Sequence, residues 1–94
     1  MKVIHVDGAA WKTKDDFFAA FLSAVGAPDW HGHNLNALND SIGAGGINEI
    51  NPPFLIKIRG STGMKPEAKQ MVETFQQLVR NLKAEGIDVA VQVE

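Results

Sequence analysis

Residues 54–93 read FLIKIRGSTGMKPEAKQMVETFQQLVRNLKAEGIDVAVQV, and their order decides the fold. Phe54 to Ile58 is an aliphatic run of strand length, closed by a turn at Gly60 to Gly63. A helix is expected from near Lys65, with Pro66 in its first turn, where a missing N–H is tolerated. Ala68, Met71, Phe75, Leu78, Val79 and Leu82 then recur at helical spacing. Gly86 ends that helix, and Ile87 is placed for the hydrophobic contact of a Schellman cap. Asp88 to Val93 is a second run of strand length. Two strands joined through a helix cannot form a hairpin, so they are expected to lie parallel.

The N-terminal half repeats the pattern with one insertion. Lys2 to Val6 is β-branched and short, with Asp7-Gly8 as its turn. Thr13 precedes Lys14-Asp15-Asp16, where a hydroxyl can cap a helix and early acids suit its dipole. Phe17, Phe21 and Val25 make one apolar face, with Phe18 and Leu22 beside them, and Gly26 and Pro28 close the helix. Asp29 to His33 is a polar, aromatic connector. Asn34 to Ile42 reads as a second, short helix capped by Asn34 and stopped by Gly43-Ala44-Gly45-Gly46. Residues 47–53 form a loop ending in Pro52-Pro53. The chain is therefore expected to be one α/β domain, residues 1–94, with a single layer of three parallel strands packed with helices through right-handed crossovers.

At 94 residues the core is sufficient but not generous, which favours a function carried on a surface over one in a deep pocket. Hydrophobic residues at 45% and charged residues at 21% are ordinary globular values, so disorder is not expected. The absence of cysteine excludes disulfides and Cys-type zinc sites. With no signal-peptide pattern in MKVIHVDG and no apolar run of about 18 residues, the expected location is the cytoplasm, away from membranes. No Lys or Arg occurs between Lys14 and Lys57. That window holds Asp15, Asp16, Asp29, Asp40 and Glu49 and carries −5, while the rest of the chain carries +3. Such a field attracts a cationic partner and repels a phosphate backbone, so direct nucleic-acid binding is not expected.

The short helix is the informative segment. At about 100° per residue, Leu35, Leu38 and Ile42 make only a narrow apolar stripe. Asn39, Gly43, Asn36 and Asp40 follow one another along a continuous polar strip, with Ala37 and Ser41 on the remaining face. Asparagine competes for backbone hydrogen bonds and is a poor helix former. Yet three of the nine residues from Asn34 to Ile42 are Asn, and none is Lys, Glu or Gln. Amides and one carboxylate presented to a partner explain this composition. The plainer reading is a solvated face with Asn34 as its cap.

The run Asp29-Trp30-His31-Gly32-His33-Asn34-Leu35-Asn36-Ala37-Leu38-Asn39-Asp40 resembles the aromatic-Gly-x-Asn-Leu-Asp-Ala-Leu-x-Asp segment of the barstar family of intracellular ribonuclease inhibitors. The opening VIHVDG, the closing LKAEGIDVAVQV and the element order are similar too, over nearly the whole chain. The resemblance implies a three-stranded parallel sheet with packed helices. It also implies that the second helix and the loop before it cover a ribonuclease active site. Asp40 then matches the family's principal inhibitory carboxylate, which mimics a substrate phosphate against Arg, Lys and His. Trp30 matches an aromatic anchor, and Asn34 the residue that starts the helix. Asn36 stands where the family has a second acid, Asn39 where its prototype has a large aromatic, and Asn81 where the prototype has a further acidic contact. These departures lower charge and anchor area. The expected partner-binding residues are Trp30, His31, His33, Asn34, Asn36, Asn39, Asp40 and Gly43, the partner being a ribonuclease or other cationic protein. No catalytic residue, metal or cofactor is expected, and the free protein is expected to be a monomer.

Other readings remain open. A barstar-like module with a non-nuclease target is the alternative. His31-x-His33 could be half of a metal site, with only Asp29, Asp40 and distant His5 to complete it; the plainer reading has one His packed over a neighbour. His5 is expected to be satisfied and partly buried in the first strand. An enzyme would need an activated nucleophile, and Ser41, Ser61 and Thr62 have no evident partners in sequence. Gly43-Ala44-Gly45-Gly46 follows a helix and lacks the strand-loop-helix context of a phosphate cradle. Trp11 is expected to pack at the first helix's entrance, and Trp30 to be partly exposed and an anchor.

Overall fold

The computed structural model describes residues 1–94. In chain order the elements are β1 (Lys2–Asp7), α1 (Lys14–Ala24), α2 (Leu35–Ala44), β2 (Phe54–Arg59), a single 3-10 turn (Ser61–Gly63), α3 (Pro66–Ala84) and β3 (Val89–Val93). The three strands form one sheet in the order β1-β2-β3, and both pairings are parallel. The α/β architecture expected from residues 54–93 is the one observed. Ile4, Ile56 and Val91 share one register level, and Val6, Ile58 and Val93 the next. These residues, with Phe54 and Val89, turn to the helices. The opposite face carries Val3, His5, Leu55, Lys57, Ala90 and Gln92, none of them buried. His5 is thus exposed, against expectation: its even-odd register in β1 sends it away from the helices, and periodicity alone did not say which face would be covered.

Local chemistry sets the helix ends. Thr13 Oγ1 accepts from the Asp16 N–H at 3.3 Å, and Asp16 Oδ2 accepts from the N–H groups of Thr13 (3.1 Å) and Lys12 (2.7 Å). The donated Lys12 and Thr13 N–H bonds hold the Asp16 carboxyl below its ordinary pKa. At the end of α3, Ile87 N–H reaches Leu82 O and Gly86 N–H reaches Lys83 O, both at 3.0 Å, which is the expected Schellman closure. Gly60 has φ +80°, and a Cβ there would lie 2.7 Å from Ala9 N, so the turn after β2 excludes a side chain twice over.

The core lies between α1, α3 and the sheet. Phe17 stacks on Phe21 with ring centroids 5.8 Å apart, and Phe75 of α3 meets them at 5.0 and 5.1 Å. Trp11 closes the entrance edge-on to Phe17 at 5.7 Å and is buried, as its position before α1 leads one to expect. Packed against α3, α2 contributes Leu38 and Ile42 to this core. It also runs two residues past Ile42, through Gly43 and Ala44, before Gly45 at φ +72° ends it. No helix is long and apolar enough to cross a membrane.

Candidate functional site

The connector 29–33 and the outer face of α2 form one continuous surface. Trp30 is 76% exposed, the largest exposed apolar side chain of the molecule. Asn36, Asn39, Asp40 and Gly43 are all exposed along α2, so the polar strip read from the sequence does face outward. Asp40 takes part in neither of the chain's two ion pairs, which are His33–Asp15 and Arg59–Asp7. A depression of about 210 Å³ beside it is lined by Trp30, Gly32, Ala37 and Ile47, among others. A carboxylate without a counter-charge, next to an exposed indole, is competent to take a cationic group and bury it against an aromatic wall.

Two expected surface residues are structural. Asn34 Oδ1 accepts from the Ala37 N–H at 2.8 Å and caps α2, although the residue remains exposed. His31 was expected to face a partner, and it does not: only 6% of it is exposed. Its Nδ1–H donates to the Gly32 carbonyl at 2.8 Å, which leaves Nε2 to accept from Ser41 Oγ at 2.9 Å. Asn48 Nδ2 donates to the same Ser41 oxygen at 3.2 Å. The three side chains therefore fasten the connector, α2 and the loop 47–53 to one another. Asn48 Oδ1 is buried there without a partner.

His33 does reach the surface. Its Nδ1 lies 2.7 Å from Asp15 Oδ1, and its ring stacks over Phe18 at 6.3 Å. The two histidines of His31-x-His33 thus engage different partners, and no group of three or more metal-ligating side chains comes together anywhere in the chain. The Ser41–His31 contact has the geometry of a nucleophile and base. However, Ser41 is 1% exposed, so the hydroxyl is closed to a substrate and its role is to brace the loop.

Sequence reasoning missed Ser41 and Asn48. Ser41 between Leu38 and Ile42 is a polar residue on the buried flank of α2, which is a usable signal for a buried polar partner. Asn48 sits in an irregular loop where no periodicity could point to it. Asn81 lies on α3 and is brought beside Asn36 and Asn39 in a groove between the two helices.

Residues 1–94, the whole chain, match the protein-family model described as Barstar (barnase inhibitor). No curated protein matches the chain.

Proposed function

The chain belongs to the barstar family, and from that premise we propose that it inhibits a ribonuclease by covering the enzyme's active site with α2 and the connector 29–33. The carboxylate of Asp40 enters the pocket that otherwise holds a substrate phosphate, where Arg, Lys or His of the enzyme pair with it. Trp30 anchors the edge of the contact and keeps water from the pair. The inhibitor acts in the cytoplasm and is a monomer until it meets the enzyme.

The observation that carries this reading is the isolation of Asp40: an exposed carboxylate, in neither ion pair of the chain, beside an exposed Trp30. The window from Asp15 to Glu49 adds long-range attraction, so binding weakens as salt rises. The tagged protein, used as bait in an extract of its own cells, is expected to retain a small basic ribonuclease, and its Asp40→Ala variant to lose it. Equal retention by both proteins contradicts the role given to the carboxylate. The amides at Asn36, Asn39 and Asn81 favour a second reading, a family member whose target is not a nuclease. Recovery of a different protein, lost on the same substitution, would support that one.

A further inference from the structure

Around the depression beside Asp40, surface residues and buried ones come in pairs along the chain. Trp30 precedes His31, Asp40 precedes Ser41, and Ile47 precedes Asn48. The first residue of each pair lines the depression, and the second belongs to the buried hydrogen-bonded set. That set therefore joins the three segments that carry the walls: an indole from the connector, a carboxylate from α2 and an aliphatic side chain from the loop 47–53.

Ile47 is the wall with the least support of its own. Neither its N–H nor its C=O is hydrogen-bonded within the chain. Asn51 brackets it, accepting from the Gly46 N–H at 2.9 Å and donating to Asn48 O at 3.2 Å, but these bonds fix the shape of the turn and not its place. The N–H groups of Glu49 and Ile50 tie the loop to Gly26 O and Val25 O at the end of α1. Toward α2, residues 47–53 make a single hydrogen bond, from Asn48 Nδ2 to Ser41 Oγ at 3.2 Å.

The direction of that bond is set from the connector. The Gly32 carbonyl can only accept, so His31 Nδ1 carries a hydrogen and, in the neutral ring, Nε2 offers a lone pair. Ser41 gives its one hydroxyl proton to Nε2 at 2.9 Å, the Leu38 carbonyl being farther at 3.3 Å, and Oγ is left to accept from Asn48. Asn48 must therefore present its NH2, and its Oδ1 stays buried with no polar group of the protein against it. Such an oxygen costs stability, and an apolar side chain of similar shape would avoid the cost. What the amide supplies in return is the one bond from the loop to α2.

We propose that Asn48 is a positioning residue of the binding face: through Ser41 it holds Ile47 as the third wall of the depression that receives the partner's cationic side chain. The partner and its use of the depression rest on the ribonuclease-inhibitor reading above; the hold on Ile47 does not.

The discriminating variant is Asn48→Leu, which fills similar space, removes the unpartnered oxygen and cuts the bond to Ser41, whose hydroxyl keeps His31. Its unfolding midpoint is expected to stay at or above that of the wild type, while dissociation from barnase speeds up about tenfold. In an Ile47→Ala background the same change is expected to add less than about twofold, because Asn48 acts through Ile47. Dissociation as slow as for the wild type, or an equally large acceleration in both backgrounds, overturns the proposal. A second measurement needs no nuclease: NMR relaxation of the Ile47 amide in the free protein. Its order parameter is expected near about 0.85 in the wild type and below about 0.6 in Asn48→Leu and Asn48→Ala, with α2 amides unchanged. An Ile47 amide equally rigid in all three proteins overturns the proposal. So does a lowered midpoint with loosening spread through α2, since Asn48 would then serve the fold and not the face. If the wild type leaves barnase active while Ile47 loosens as expected, the ribonuclease reading fails for that enzyme and the positioning role stands.

Discussion

α3 and α2 lie against each other and differ in almost every choice of residue. α3 is 19 residues long and buries Ala68, Met71, Val72, Phe75, Val79 and Leu82, while its outer face carries Glu67, Lys69, Gln70, Glu73, Gln77, Arg80 and Lys83. Apart from the exposed Thr74 and Asn81, its outward residues are strong helix formers. α2 is 10 residues long, buries Leu38, Ser41 and Ile42, and exposes Asn36, Asn39, Asp40 and Gly43, each a weaker helix former. It is held from outside itself, by the Asn34 cap, by the His31–Ser41–Asn48 contacts and by packing on α3. One helix is composed for folding. The other is poor in strong helix formers on its exposed face, and its neighbours hold it in shape.

The comparison breaks most visibly at Phe75. Phe75→Ala removes the ring that joins α3 to Phe17 and Phe21, and denaturant unfolding is expected to show a loss of roughly 3–5 kcal/mol. A loss below about 1 kcal/mol would mean that α3 does not organise the core. His31→Ala probes the other helix. It removes the ring that bonds Ser41 Oγ and leaves a void beside α2, with the Asn48–Ser41 bond remaining, and is expected to destabilise by about 1–3 kcal/mol. Hydrogen exchange should localise the damage, with α2 amides losing protection while those of α3 keep it. If α2 stays protected and partner binding alone weakens, His31 is a contact residue after all. Thr13→Ala tests a helix end rather than a face, and about 1 kcal/mol of stability is expected to go with the cap.

The smallest effect concerns pH. The folded-state pKa of Asp16 is depressed, so its contribution is fully present above the ordinary carboxylate value of 3.8 and is lost as the pH falls through the lower folded value. Asp16→Asn is expected to flatten this part of the acid limb in a pH series of unfolding midpoints. An unchanged acid limb would mean that the capping carboxylate does not contribute.

The same contrast explains what was legible in the sequence. The periodic elements could be read directly, because the buried residues of α1 and α3 and the strand lengths repeat with the geometry of the backbone. The polar strip of α2 was legible as well, from its asparagines and its missing Lys and Glu. Burial of His31 was not, since it depends on Ser41 and Asn48 arriving from α2 and from an irregular loop. Nor was the covered face of the sheet, which left His5 on the wrong side: three short strands alternate in both directions, and only the docking of helices chooses between them.

The most direct test measures two quantities on one variant, Asp40→Ala: inhibition of barnase and the free energy of unfolding. The account predicts that inhibition falls by roughly 2–5 kcal/mol of binding energy, as for a truncated member of a desolvated charge pair. Stability should stay within about 0.5 kcal/mol of the wild type, because the side chain is exposed and in neither ion pair. Unchanged inhibition, above all with lowered stability, would contradict it and return α2 to the ordinary surface of a folded domain.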